Sequence, residues 1–360
     1  MKFVKFLLAT SLCLLLVGCK NEKIQMYSYS FIGPFDTQFE FKAYANNQKE
    51  FDSYSQTVKS EFEYYNQLFD KYNLYEGVNN IKTINDYAGQ APISVEQPII
   101  DLLEMNKQYY YKYSNNVNVA MGSVLEIWHN AREMNDGTVP SKELLDEANK
   151  YTDLEKVVID KDKNTVYIEE GMSLDVGATA KGFASERVKE KLIEVGCESF
   201  LLSAGGNIVS HGKRLVEADP SSLSKVLPNC LTHFAVGVQS PQDGAYENKV
   251  NTVALILDGT SVVTSGDYQR YFIGDDGNYY HHIIDPISLF PPHYFRSVTI
   301  LTNDSSLADF LSSAVYLMPL DQGQAFIESM EGVEAVWLCN DGTIVSSSGL
   351  VEGENYHLYD

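Results

Sequence analysis

Between residues 35 and 45 the chain alternates, with Phe35, Thr37, Phe39 and Phe41 spaced two apart, the period of a strand. From Glu50 to Leu68 the spacing lengthens. Phe51, Tyr54, Val58, Phe62 and Tyr65 recur three or four residues apart, the apolar stripe of an amphipathic helix. A loop is expected over 73–90, then a helix near 96–113 with Pro98 in its first turn. Pro140 to Glu143 opens another helix, carrying Leu144, Leu145 and Ala148 on one side. Val157–Ile159 and Thr165–Ile168 flank the polar run Asp160–Asn164, the mark of a hairpin. Gly182–Val195, 305–317 and Asp321–Ser329 read as helices. Ser199–Ser203, Ala235–Val238, Val253–Leu257, Tyr268–Ile273, Val298–Thr302 and 333–338 read as strands.

Strands and helices are interspersed without a regular βαβ beat, which predicts an α+β fold with a mixed arrangement of sheet and helix. A single large body is expected over 35–345, interrupted by an inserted surface loop near 214–232, where Pro220 and Pro228 sit among polar residues. Residues 19–34 are expected to form a tether, and 346–360 an acidic C-terminal tail.

The N-terminus adds an address. Lys2 and Lys5 precede an apolar run from Phe6 to Val17 that lacks acidic residues and is too short for an ordinary membrane span. The run ends in Leu16-Val17-Gly18-Cys19, which resembles the bacterial lipobox. That resemblance implies removal of residues 1–18 and a lipid on Cys19, holding the chain to the membrane on its extracytoplasmic side. A plain secretory signal cut nearby is the alternative.

Charge narrows the partners. The 360 residues carry 49 Asp and Glu against 27 Lys and Arg, a net charge of −22. Without residues 1–18 the balance is 25 basic to 49 acidic residues, or −24. With 44% hydrophobic residues the chain has the material for a packed core, so disorder is excluded. Nucleic acid is excluded as a partner, because phosphate binding needs clustered cations. Apart from Cys13 and Cys19, the cysteines Cys197, Cys230 and Cys339 are widely spaced and form no zinc or disulfide framework, so they are expected as small buried hydrophobes.

Four clusters carry candidate chemistry. Asp175-Val176-Gly177-Ala178-Thr179-Ala180-Lys181-Gly182 runs straight into a helix, where small residues, free N–H groups and Lys181 suit an anion; a tight turn with a surface lysine remains the alternative. Ser203-Ala204-Gly205-Gly206-Asn207 is either a tight turn or a close approach to a ligand. Thr264 to Arg270 is followed by His281-His282-Ile283-Ile284-Asp285-Pro286. On a strand the two histidines face opposite ways, so only one can serve a given site. Leu307 to Ser313 places Asp309 and Ser313 four apart on one helix face. That oxygen set suits a hard cation such as Mg²⁺, or else Asp309 simply complements the helix dipole.

In this order the clusters resemble the FAD:protein FMN transferases, the ApbE family, from about Phe35 to about Leu338. The resemblance implies a Mg²⁺-dependent transferase. It would split FAD at the pyrophosphate, pass FMN to a Thr or Ser hydroxyl of an exported or membrane redox protein, and release AMP. It implies metal ligands in the main-chain oxygen of Ala178 and the side chains of Asp309 and Ser313. It implies FAD contacts from Phe35, Tyr72, Asn116, Val117, Asn118, Asp175, Lys181 and Ile283, and catalytic roles for His282 as base and for Asp285. Four positions depart from the family pattern. Phe35-Asp36-Thr37 stands for Met-Gly-Thr, Asn118 for an aspartate, Ile287-Ser288-Leu289 for Arg-Thr-Gly, and Ser313 for a threonine. Two other readings use the same residues: an FAD pyrophosphatase yielding FMN and AMP, and a non-catalytic flavin-binding lipoprotein.

Overall fold

A computed structural model describes residues 23–241 and 251–359. Its largest element is an eight-stranded antiparallel sheet in the order β1 (Gln25–Ile32), β2 (Gln38–Ala45), β6 (Phe200–Ala204), β7 (Asn207–His211), β10 (Ser261–Gly266), β13 (Phe295–Thr302), β14 (Glu334–Cys339) and β15 (Ile344–Ser346). Three smaller sheets accompany it: β3 (Ile93–Ser94) with β5 (Thr165–Tyr167) and β4 (Val158–Asp160), β11 (Tyr271–Ile273) with β12 (Tyr279–His281), and β8 (Phe234–Gln239) with β9 (Asn251–Leu257) and β16 (Tyr356–Leu358).

Strand alternation sorts the main sheet's two faces. Phe39, Phe41 and Ala43 point to the core shared with the helices Gln48–Phe69 and Ala180–Glu194. Val263, Val298 and Ile300 meet the helix Ser305–Tyr316 on that same side. Their neighbours Tyr44, Val262 and Leu301 face the opposite core, under β8, β9 and β16. The expected α+β fold is therefore a layer of helices, a central sheet and a small covering sheet.

Several boundaries differ from the sequence reading. The tether is largely strand: Gln25–Ile32 pairs along its whole length with β2, and Tyr27 and Phe31 stack on Phe51 and Phe39. The strand expected from Phe35 begins at Gln38, because Phe35 and Asp36 lie in a turn with φ of 55° and 51°. The 73–90 loop holds a short helix, Ile81–Asp86, capped by Asn80. The helix Gly122–Met134 and strand β10 were not anticipated. The 214–232 insertion is not a bare loop, since Leu227 and Cys230 are buried against Ala254 and Ile256. The tail folds back as β16 on β9, with Tyr356 buried. The three described cysteines are free.

Candidate active site

The site is organised where two helices meet. Gly182 of the 180–194 helix packs so close to the 305–316 helix that an added Cβ would lie 2.3 Å from the Asp309 Cβ. That approach lets the Gly182 N–H donate to the Asp309 carboxylate at 2.7 Å. Burial pushes the Asp309 carboxyl up to about 6, against the pull of Lys181 and the Gly182 N–H. One turn on, the Ser313 hydroxyl lies 3.3 Å from the Ser265 hydroxyl, which is 2.8 Å from that of Ser312. Two of the sequence clusters thus converge on the third.

The start of the 305–316 helix is fixed by its own acids. Asp304 accepts from the Ser306 and Leu307 N–H groups, and Glu186, paired with Lys189, accepts from Ser305. Asn207 takes the Ser305 hydroxyl at 2.8 Å, so the Ala-Gly-Gly-Asn cluster supports the site. Its glycines form the two-residue β6–β7 turn at φ of 59° and 93°, and a Cβ on Gly205 would strike Thr37 Oγ1 at 1.8 Å. The helix N-terminus expected to bind an anion is largely spoken for. The N–H groups of Thr179 and Ala180 donate to the Val176 carbonyl, and that of Phe183 to Thr179. Positive potential here comes mainly from side chains.

Those side chains cluster. Lys181 is desolvated, which lowers its pKa despite the nearby Asp309 carboxylate, and Arg270 lowers it further. The His282 N–H donates to the Arg270 carbonyl at 3.1 Å. Burial, with Arg270, His281, Arg132 and Lys181 around it, pushes the His282 imidazole down to about 3, and its Nδ1 is buried without a partner. His281 is the opposite case. Its Nε2 donates to the Pro292 carbonyl at 2.7 Å and its Nδ1 accepts from the Ile283 N–H at 3.2 Å, an assignment the carbonyl and amide dictate.

Asp175 anchors a second wall. Lys71 Nζ sits 2.7 Å from one of its oxygens and the Gly177 N–H donates to the other at 2.8 Å. Burial alone would raise this carboxyl, but Lys71 and the Gly177 N–H hold it below the usual range. Lys71 also lies 4.9 Å from the Tyr72 ring centre. Tyr72, 55% exposed, packs against His129 with ring centroids 5.1 Å apart and planes tilted by 38°. Lys71, His129, Arg132 and the role of Arg270 escaped the sequence reading. Helical spacing of Val124, Trp128 and Ala131 was the available signal for the first turns around His129.

The other expected residues divide. Val117 and Ile283 are buried in one apolar cluster with Ala308 and Leu311, and Ala178 packs against it. Asn116 donates to the Ala314 carbonyl at 3.4 Å. Asn118 is occupied, donating to the Thr152 carbonyl and accepting from the Ala120 N–H. Asp285 closes the following turn, its two oxygens accepting from the N–H groups of Ile287 and Ser288. Phe35 donates through its N–H to Asn66 and sets its ring edge-on to Phe62.

Among the described residues no group of three or more His, Cys, Asp or Glu forms a metal cluster. Asp309 and Ser313 fit a different pattern, one desolvated carboxylate with a hydroxyl on the same helix face. Mg²⁺ is held this way when substrate phosphates complete its shell.

Comparisons with known proteins give the family. The model of the ApbE family matches residues 35–337. The FAD:protein FMN transferase of Treponema pallidum is 30% identical over 279 residues, covering 76% of this chain and 74% of that protein. That of Klebsiella pneumoniae is 27% identical over 288 residues, covering 78% and 83%. The solved ApbE protein of Thermotoga maritima superposes with a TM-score of 0.76 at 24% identity, over 90% of this chain and 98% of that one. The flavin transferase ApbE from Vibrio cholerae gives 0.71 at 20% identity, over 91% and 98%. With its helix-to-helix Asp309 site and a family match along most of its length, this chain belongs to the ApbE family.

Proposed function

We propose that the chain is an FAD:protein FMN transferase, moving FMN from FAD to a Thr or Ser hydroxyl of an exported or membrane redox protein with release of AMP. The observation that carries this reading is the group of cations around His282, facing the Asp309–Ser313 oxygens in a strongly acidic protein. A pyrophosphate supplies the negative charge that such a group lacks. Asp309, Ser313 and the Ala178 carbonyl would hold Mg²⁺, which would supply positive charge to offset the negative charge developing towards the AMP leaving group.

The remaining steps fall to the chain's own residues. Lys181 adds a point charge beside those oxygens. Asp175 and Lys71 hold Tyr72, which offers an exposed ring face to the flavin. His282 is neutral, as a base must be before it accepts the proton of the acceptor hydroxyl at the partnerless Nδ1. Burial is the largest cause of its low basicity, and Arg270, His281, Arg132 and Lys181 add to it. A bound anion would offset the part of that lowering that Arg270, Arg132 and Lys181 contribute.

Incubating the full chain with FAD, Mg²⁺ and a Thr-bearing acceptor domain tests the reading. A mass gain of one FMN on the acceptor supports transfer. FMN and AMP without an adduct mean hydrolysis, and intact bound FAD means capture; either overturns the proposal.

We also infer a lipid anchor on Cys19 and an extracytoplasmic location, supported by Lys2, Lys5 and the Leu16-Val17-Gly18-Cys19 sequence. The Cys19 region lies outside the described residues, and no described helix is long and apolar enough to cross a membrane. The chain is expected to partition with the membrane fraction and to leave it when Cys19→Ser is introduced; unchanged partitioning would count against the anchor.

A further inference from the structure

The catalytic reading gives Arg132, a member of the cation cluster, no individual contact. Arg132 lies on the 122–134 helix, three residues after His129, and its Nη2 is 2.9 Å from His129 Nδ1. A guanidinium has donors and no acceptor, so the histidine nitrogen must be the acceptor and its proton must sit on Nε2. The imidazole is therefore neutral, as its burial and the adjacent Arg132 charge both require.

That ring is itself held in place. It packs against Tyr72 with the ring planes tilted by 38°, Tyr72 lies beside Lys71, and Lys71 is paired with Asp175. Lys71, Tyr72 and His129 line one open cleft of about 540 Å³. Arg132 is thus the end of a braced series, Asp175–Lys71–Tyr72–His129–Arg132, rather than a loose surface side chain.

Arg132 has no close ion-pair partner, and Glu133 and Asp175 offset its charge only at longer range. Among the described residues no carboxylate lies within 4.0 Å of Arg132, Lys181 or Arg270, although most lysines of the chain have such a partner. After burial, the charge of Arg270 is the strongest influence on Arg132, and it is of the same sign. Arg132 is partly buried and Arg270 exposed, and keeping the two like charges near each other costs free energy. A ligand anion removes that cost, and a planar fork of donors suits phosphate oxygens.

We propose that Arg132, aimed by His129, is a phosphate-binding residue that acts with Arg270 on the diphosphate of the substrate. His129 is its positioning residue. The inference rests on the flavin-transfer reading for the identity of the diphosphate, and on the geometry alone for the anion.

Ligand titration of the full chain by flavin fluorescence tests it, with FAD and riboflavin as probes, because riboflavin has the ring and no phosphate. Arg132→Met is expected to weaken FAD about tenfold or more and to leave riboflavin within about twofold. Arg132→Lys should recover part of the loss. His129→Ala should weaken FAD by a smaller factor, and His129→Gln should restore it, since a carboxamide oxygen can accept from the guanidinium. Unchanged FAD affinity in Arg132→Met overturns the proposal. An equal fall for riboflavin also overturns it, by showing a structural role. Failure of the parent reading looks different: the unaltered chain would give no FMN adduct, whatever Arg132 does to FAD affinity.

Discussion

His281 and His282 are neighbours in sequence and face opposite regions of the molecule. On the core side, every strong polar atom of His281 has a partner: a carbonyl on Nε2, an amide on Nδ1, with the Tyr316 ring 5.5 Å away. On the cleft side, His282 has a buried and partnerless Nδ1 amid Arg270, Arg132 and Lys181. The same division runs through the carboxylates. Asp285 is saturated by two N–H groups of its own turn, whereas Asp309 is desolvated and takes a single N–H from Gly182. Satisfied polar groups hold the fold. At the cleft, the unpartnered His282 Nδ1 and the desolvated Asp309 are groups that a ligand would satisfy.

The sharpest way to break this comparison is to substitute the two histidines separately. His282→Ala is expected to lower the rate of FMN transfer by about 10²–10⁴, the usual worth of a positioned base, while FAD affinity and unfolding midpoint stay close to those of the unaltered chain. His281→Leu should leave the site's chemistry in place but destabilise the protein by about 1–3 kcal/mol, because the Pro292 carbonyl and the Ile283 N–H lose their buried partner. Transfer kinetics and urea unfolding on both variants check the pair. Loss of FAD binding in His282→Ala would remove its assignment as the base.

Much of this division could be read from the chain, and the exceptions have physical causes. Long periodic segments such as 51–65 and 305–316 lie close to where their spacing puts them, since burial of an amphipathic face is a tertiary demand written locally. The 122–134 helix begins at Gly122 without a side-chain cap, so its start carries no local signal, and His129 and Arg132 were missed with it. Residues 25–32 read as a tether because half of an edge strand is polar; only its pairing with β2 makes it a strand.

Two of the departures from the family's motifs, at Phe35-Asp36 and at Leu289, are conformational substitutes. Phe35, Asp36 and Leu289 occupy left-handed φ of 55°, 51° and 66°, where glycine is the easy choice. In the loop after Asp285, Leu289 takes the left-handed conformation itself. Its side chain is buried with Trp128 and Phe272, and its carbonyl accepts the Trp128 N–H at 2.8 Å, contacts that outweigh a strain of about 1–2 kcal/mol. A loss of glycine in sequence is therefore not a loss of the loop.

The comparison is sharpened most finely at Asp309, where activity and stability should move in opposite directions. Its folded pKa, about 6, lies above the ordinary 3.8, so the fold favours the protonated form. The stability this group contributes is complete below about 3.8 and is lost as the pH rises through about 6. Asp309→Asn cannot ionise, and its amide oxygen can still accept from Gly182. With chelator present, the variant should therefore be more stable than the unaltered chain at pH 7.5, by on the order of 3 kcal/mol, with the gap closing towards pH 4. Adding Mg²⁺ together with FAD should stabilise the unaltered chain and leave the variant nearly unmoved, since binding to the folded state alone adds to its stability. Urea midpoints at the two pH values, with and without metal and FAD, decide the matter. A variant less stable than the unaltered chain at pH 7.5 would place Asp309 among the groups that hold the fold rather than among those kept for a ligand.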